Sequence, residues 1–458
     1  MSEVLRSVGL DVGTTSTQMI FSELTIENRA SSFAVPEMEI AQRKILYKSP
    51  VYFTPLLDES NVDAAALRGI VEEEYRKAGL RRESVDTGAI IITGETSRKE
   101  NARAVLAQIA DFAGDFVVAT AGPDLESVLA AKGAGAVDYS ERTGKTVLHM
   151  DIGGGTSNLA LIRDGKITET GCLNVGGRLL KFDKNGAVTY VSPVLTGICD
   201  LKVGNKAIQE QVEAVAQTLV HALEMAAGLR EAAPQLEQLW TKEIAAPACA
   251  LVRNDTDSAE NVVISFSGGV ADCIEKALPW LEFGDMGPVL GQAIKKSRLC
   301  RGEYKLGSET IRATVIGAGC HSAQLSGSTV FYRNVQFPLK NVPVVNISDP
   351  KLLRQELRKQ EDVAIIAMPG IASPSYGEVA ALAEEIIAGV VEGPLLICLE
   401  QDMAKALGQA LAVRLPENAQ VLCIDRVKVS EGSYLDIGAP VGPAMPVVVK
   451  TLVLAEKG

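Results

Sequence analysis

Basic charge, histidine and long apolar runs are what this chain has least of. With 45 Lys plus Arg against 57 Asp plus Glu, the formal net charge is −12. Only short clusters such as Arg81-Arg82 and Lys295-Lys296 are basic, so no positive field exists to hold a phosphate backbone, and no nucleic-acid partner is expected. The three histidines, His149, His221 and His321, lie at no H-x-x-x-H spacing, which argues against a His/Cys zinc site and a His-based triad. None of the eight cysteines falls at C-x-x-C spacing, and most sit in apolar stretches such as Leu395-Leu396-Ile397-Cys398-Leu399. They read as reduced, buried thiols. The opening Met1-Ser2-Glu3-Val4-Leu5-Arg6 has no signal-peptide core, and no run of about 18 uncharged apolar residues follows. A cytoplasmic protein without a membrane partner is expected.

What is present is a globular composition, 47% hydrophobic and 22% charged, far from the disordered regime. At roughly 150 residues per domain the chain has material for about three domains. Apolar runs from Leu5 to Leu10 and Gln18 to Leu24 flank the turn Asp11-Val12-Gly13-Thr14-Thr15-Ser16, a hairpin pattern. A third extended run lies around Val51-Tyr52-Phe53. Helical spacing over 62–78, a buried strand over 88–92, a helix over 99–112, a strand over 116–119 and a helix over 124–132 complete the first lobe.

Near residue 146 the order restarts, with a strand over 146–150, the turn Asp151-Ile152-Gly153-Gly154-Gly155-Thr156 and strands over 159–162 and 166–173. A long helix over 207–228, a strand over 262–266, a helix after Val270 and a last strand over 313–316 entering another helix follow. Segment 181–200 has no counterpart in the first lobe and reads as an insertion, with Asp183 and Asp200 as exposed loop carboxylates, the alternative being contact with a partner or a cation. From about Ser326 strands over 363–367, 394–399 and 421–425 alternate with helices over 377–389 and 402–413. This is an appended α/β unit, structural or partner-facing, with no catalytic spacing. The expected domains are 1–145, 146–328 and 329–458. Glu72-Glu73-Glu74, followed by Arg76 and Lys77, reads as a solvated helix face with i,i+4 pairing.

The two turns carry the chemistry. Asp-Val-Gly-Thr-Thr-Ser-Thr-Gln from Asp11 aligns with Asp-Ile-Gly-Gly-Gly-Thr-Ser-Asn from Asp151, and each copy opens a lobe. A Gly- and Thr-rich hairpin turns backbone N–H groups and hydroxyls into one concavity, which suits phosphate oxygens. The Asp at the strand end repels phosphate unless a cation stands between them, and hydrated Mg²⁺ supplies that mediator. Facing lobes would thus converge Asp11 and Asp151 on one Mg²⁺-polyphosphate. Other nucleotide signatures fail: Gly144-Lys145-Thr146 has Tyr139 where a P-loop needs Gly, and Gly317-Ala318-Gly319 has Ser322 at the third small position and no acidic ribose partner over 335–341.

These residues resemble the actin-like ATPase superfamily, which includes actin, sugar kinases and the heat-shock chaperone ATPase. The fold class so implied is α/β, a two-lobe actin-like (ribonuclease H-like) ATPase with an appended C-terminal α/β domain. The first phosphate loop is similar to Asp11 through Ser16, with Gly13, Thr14, Thr15 and Ser16 as binding residues, and the second to Asp151 through Thr156, with Gly153, Gly154, Gly155 and Thr156. The first inter-lobe helix resembles Pro123 through Ala131, the adenosine motif Val262 through Gly268-Gly269, and the second connecting helix Val315 through Gly319. The resemblance implies ATP and Mg²⁺ as cofactors, Asp11 and Asp151 holding the metal through water, and Glu126 orienting the attacking water. Gly176-Gly177 resembles a further phosphate-side turn, and Thr93-Gly94-Glu95 ends a strand on the same edge.

Over the whole chain the sequence is similar to the ethanolamine ammonia-lyase reactivating ATPases of the EutA type. The resemblance is carried by Ile92 through Ala102, Ala121 through Glu126, Asn174 through Leu180, Met368-Pro369-Gly370 and Pro374-Ser375-Tyr376-Gly377. It implies a chaperone-like ATPase that uses Mg-ATP to release damaged cobalamin from an adenosylcobalamin-dependent lyase so that intact cofactor enters. The implied partner is ethanolamine ammonia-lyase carrying cobalamin, with a homodimer and a bacterial microcompartment as further implications. A sugar-type small-molecule kinase and an actin-like filament or scaffold ATPase use the same loops, but neither accounts for the C-terminal unit.

Overall fold

The computed structural model describes residues 3–13, 16–28, 38–58, 61–93, 117–120, 123–231, 233–242, 262–321, 323–326, 329–348, 352–353, 355, 363–389, 393–427, 429, 433–440 and 444–451. The helix expected over 99–112 lies outside them, as do Thr14, Thr15, Gly94, Glu95 and Cys249.

The first sheet is built from β1 (Glu3–Val12), β2 (Ser16–Asn28), β3 (Met38–Lys48), β4 (Tyr52–Phe53), β5 (Thr87–Ile92) and β6 (Val117–Thr120), in the order β3-β2-β1-β5-β6 with β4 beside β2. β1 and β2 are an antiparallel hairpin, while β1, β5 and β6 run parallel. Helix α1 (Ala64–Ala78) covers one face, capped by Asp63 and closed at Gly79 in the left-handed region. Its Leu67, Val71 and Tyr75 pack on Val8, Leu10 and Phe21. The third strand of this sheet is β3, not the run at 51–53, which contributes only the two-residue β4. β3 is an edge strand with mostly exposed side chains, Glu39, Arg43, Lys44 and Lys48 among them, so it lacks the apolar alternation that marks a half-buried strand. Glu72 and Glu73 are solvent-facing, but Glu74 is buried and accepts from the Tyr47 and Tyr52 hydroxyls and from Lys77. The solvated-face reading fails there because those phenols, on β3 and β4, close over the carboxylate.

α2 (Pro123–Gly133) and α3 (Ala136–Thr143) lead into the second sheet. Its strands are β7 (Thr146–Ile152), β8 (Ser157–Arg163), β9 (Lys166–Leu173), β12 (Trp240–Lys242), β13 (Val262–Ser267) and β14 (Tyr304–Leu306), ordered β12-β9-β8-β7-β13-β14. The antiparallel hairpin β7-β8 beside parallel β13 and β14 repeats the first lobe. This doubled topology is the actin-like α/β fold. β10 (Leu180–Phe182) and β11 (Val188–Val191) form a separate two-stranded ladder, where Asp183 accepts from the turn amides of Asn185 and Ala187. α4 (Gln209–Ala226) buries Val212, Val215, Leu219 and Leu223 in the largest core, and α5 (Asp272–Glu275) and α6 (Gly287–Lys295) follow β13.

The strand expected over 313–316 is the start of helix α7 (Ala313–His321), and the lobe's last strand is β14. Ala313, Val315, Ile316 and Ala318 are buried, so the helix shows no polar face and a short apolar run reads as a strand. α2 and α7 cross between the lobes in backbone contact: a Cβ on Gly133 would lie 1.9 Å from the Ala313 carbonyl oxygen, and one on Gly317 would lie 2.1 Å from that of Leu129.

The remaining sheet has eight strands, β15 (Ala323–Leu325), β16 (Phe331–Arg333), β17 (Leu339–Asn346), β18 (Ile365–Met368), β19 (Leu395–Leu399), β20 (Val421–Ile424), β21 (Ser433–Ile437) and β22 (Pro446–Thr451), in the order β15-β22-β21-β17-β18-β19-β20-β16. α8 (Tyr376–Gly389) and α9 (Ala404–Arg414) pack on its parallel centre. Among the described residues, all seven cysteines are free thiols, and no helix is long and apolar enough to cross a membrane.

Candidate functional site

A cleft of about 320 Å³ lies between the two hairpins, within the range of small-molecule sites. Asp11 and Asp151, the last acidic residues of β1 and β7, both line it. Each is held by a hydroxyl from a parallel neighbour or its following turn. Thr93 Oγ1, just past β5, donates to Asp11 Oδ1 at 2.9 Å, and the Ser267 hydroxyl at the end of β13 donates to Asp151.

The Ser267 bond belongs to a buried chain. His149 Nε2 is 2.9 Å from Ser267 Oγ, and its Nδ1 is 3.1 Å from Ser265 Oγ. Because Ser267 gives its proton to Asp151, it accepts from Nε2–H, and Ser265 then donates to Nδ1; the tautomer is assigned by this network. Burial pushes the imidazole down to about 3, so it stays neutral. Serine between Asp and His is the wrong order for a nucleophilic triad; the chain orients Asp151.

Burial raises both carboxyls. Asp11 is pushed up to about 7, by desolvation and by the facing Asp151 charge against the Thr93 hydrogen bond. Asp151 is raised to about 6, by desolvation against the hydroxyls of Ser267 and Thr314. Two facing carboxylates in a desolvated cleft fit a divalent cation. Among the described residues no group of three or more His, Cys, Asp or Glu side chains could hold a metal alone, so phosphate and water would complete its shell. Both acids hold protons more tightly folded than unfolded, so the stability they contribute is complete below about pH 4 and is lost as pH rises through about 6 to 7. Mg²⁺ with ADP is therefore expected to raise the melting temperature more at pH 8 than at pH 5.5; equal shifts in thermal melts would contradict the carboxylate site.

Around the acids stand the expected phosphate turns. Gly13 N donates to Ser16 O and Gly153 N to Thr156 O, each at 2.9 Å, so both turns close identically. Gly13, Ser16, Gly153, Gly154, Gly155 and Thr156 line the cleft; Thr14 and Thr15 lie outside the described residues. Gly177 lines the cleft as well, whereas Gly176 sits behind the second turn, where a Cβ would fall 2.3 Å from Gly154 O. Gly268 and Gly269 form another wall, Gly268 with φ 87 and with room for a Cβ denied by Ile152 O at 2.3 Å.

Glu126 on α2 is buried, lines the cleft and accepts from Asn158 Nδ2 at 3.0 Å.

Several cleft residues escape sequence reasoning. Arg178 follows Gly177, its Nε donates to Asp285 Oδ2 at 3.1 Å, and its guanidinium lies 5.8 Å from the Phe53 ring centroid of the other lobe. The strap between β14 and α7 ties the lobes together: Gly268 N donates to Thr310 O at 3.0 Å, Gln18 Nε2 to Ile311 O at 3.0 Å and Arg312 to Ser49 O at 3.1 Å. These partners lie far apart in the chain and carry no local motif. Gln18 and Asn158 had a visible signal, the final position of the aligned turns.

The sequence model of the family described as "Ethanolamine utilisation protein EutA" matches residues 3–455. A protein of Salmonella typhimurium named ethanolamine ammonia-lyase reactivase EutA is 40% identical over 468 residues, covering 98% of both chains. The Escherichia coli (strain K12) protein of that name is 39% identical over 470 residues, again covering 98% of each. Among solved structures, a Ppx/GppA family member of Aquifex aeolicus has a TM-score of 0.42 at 12% identity, covering 69% of this chain and 97% of its own.

Proposed function

The chain belongs to the EutA family, and from that membership and the paired-hairpin cleft we propose that it is an ATPase that reactivates adenosylcobalamin-dependent ethanolamine ammonia-lyase, releasing damaged cobalamin so that intact cofactor enters. The observation that carries the ATPase half is the convergence of Asp11 and Asp151, from equivalent positions of two hairpins, on one cleft walled by Gly-rich turns. Full-length similarity to proteins named for reactivation of the lyase supports the other half.

In this reading the turn amides and hydroxyls would grip the phosphates, and Asp11 and Asp151 would hold Mg²⁺. Mg²⁺, when bound, neutralises the polyphosphate and polarises the terminal phosphoryl group. Gly268 and Gly269 leave room for the nucleoside against the lobe-two wall. Glu126, held by Asn158, orients the attacking water and takes its proton. The strap joining Gly268, Thr310, Ile311 and Gln18 carries the state of the nucleotide pocket to lobe one, and a partner's affinity changes by whatever its contacts with the two lobe arrangements differ. The inactive lyase, carrying cobalamin, is that partner.

Glu126→Gln is expected to lower ATP turnover roughly 100-fold with nucleotide affinity unchanged, read by phosphate release and by calorimetry. Equal loss of affinity and turnover would remove the water-orienting role. The proposal as a whole is tested by phosphate release from ATP with Mg²⁺, with and without the lyase inactivated by cyanocobalamin. Hydrolysis stimulated by the inactive lyase supports it; turnover that requires a sugar-like acceptor would instead make the protein a kinase.

A further inference from the structure

We infer that Gln18 and Asn158 form a matched pair of acceptors, one from each lobe, that holds the water shell of the cation between Asp11 and Asp151. The inference rests on the Mg-nucleotide reading of the cleft and adds two positioning residues to it.

In the β1-β2 ladder Gln18 is directly opposite Asp11, and in the β7-β8 ladder Asn158 is directly opposite Asp151. Directly opposed residues of an antiparallel pair present their side chains on the same face, so each hairpin offers the cleft one carboxylate and one amide. Both amides line the cleft, and they are only 3% and 5% exposed. Their nitrogens are committed: Gln18 Nε2 donates to Ile311 O and Asn158 Nδ2 to Glu126 Oε2, each at 3.0 Å. A flipped amide would set oxygen against a carbonyl in one case and a carboxylate in the other, so the orientation follows from chemistry. Gln18 Oε1 and Asn158 Oδ1 are then buried with no hydrogen-bond partner.

A buried acceptor without a donor is costly, and here two occur at equivalent positions of a duplicated hairpin. A group that reaches either oxygen from the cleft must donate. Phosphate oxygens only accept and would be repelled. The waters of a hydrated cation point their hydrogens outward, and Mg²⁺ keeps several waters when bound. Two amides and two carboxylates, one of each from either lobe, would therefore complement such a shell.

The test is a titration of the full chain with Mn²⁺ in the presence of a non-hydrolysable ATP analogue, following the free-ion electron paramagnetic resonance signal. Gln18→Met and Asn158→Leu remove the acceptor at nearly constant volume and are each expected to weaken Mn²⁺ about 10-fold, with affinity for the metal-free analogue unchanged. Gln18→Glu and Asn158→Asp lose the amide donor but keep an acceptor, and are expected to retain or strengthen Mn²⁺ binding. If either apolar variant fails to fold, the acidic variant at that position decides: unweakened Mn²⁺ binding there supports the pair. The inference is overturned if the apolar variants bind Mn²⁺ like the parent, or if acidic and apolar variants weaken it equally, since the effect would then come from the lost donor bonds to Ile311 and Glu126. If the parent itself binds no Mn²⁺ with the analogue, the Mg-nucleotide reading falls and this inference with it.

Discussion

If the proposed ATPase reading holds, Asp151→Asn is expected to lower ATP turnover by roughly 1,000-fold, the loss that follows when about 4 kcal/mol of metal-borne transition-state stabilisation disappears. The fold survives the change. Asparagine keeps the oxygen that accepts from Ser267, and it removes a charge whose burial already lifts the carboxyl to about 6. The metal-free variant is expected to melt at or above the parent temperature at pH 8, while losing its response to Mg²⁺. Asp11→Asn behaves alike, since Thr93 holds the equivalent oxygen. Turnover close to that of the parent in both variants, measured by phosphate release, would place the chemistry elsewhere.

Gly133→Ala destabilises the protein by about 3 kcal/mol, because its Cβ would stand 1.9 Å from the Ala313 carbonyl oxygen and neither backbone can yield without parting the helices. The melting temperature falls by about 3 °C. α2 carries Glu126 and α7 follows the strap that grips Gln18, so turnover falls as well at temperatures where the variant is folded. Gly69 provides the contrast: it is exposed on α1 with nothing within 4 Å of a Cβ, and Gly69→Ala is expected to add about 0.5–1 kcal/mol through helix propensity. Equal effects at the two glycines in thermal melts would deny the close helix crossing any mechanical weight.

The duplicated hairpin was legible because an Asp-apolar-Gly turn between two apolar runs occurs twice, and strand pairing makes that pattern local. The same is true of α8, whose burial follows its helical period. Less local features were hidden. β3 is an exposed edge, so its letters look like a loop; α7 is buried all round, so its opening letters look like a strand. Glu74 reads as solvated until two tyrosines from separate strands are brought over it. The second tier of the cleft follows the same rule. The His149, Ser265 and Ser267 chain, the Arg178 pair with Asp285 and the strap at 309–312 exist only after distant segments are folded together. Gln18 and Asn158 were legible as aligned positions, but an amide carries no chemistry in sequence until its nitrogen is seen to be occupied and its oxygen left without a partner.

The most direct test of the account is recovery of ethanolamine deamination by a lyase blocked with cyanocobalamin, supplied with this protein, free adenosylcobalamin, Mg²⁺ and ATP. The account predicts recovery with ATP and the parent chain, and none without ATP or with Asp11→Asn. Recovery that persists without ATP or with Asp11→Asn, or no recovery by a parent chain that still hydrolyses ATP, would contradict it.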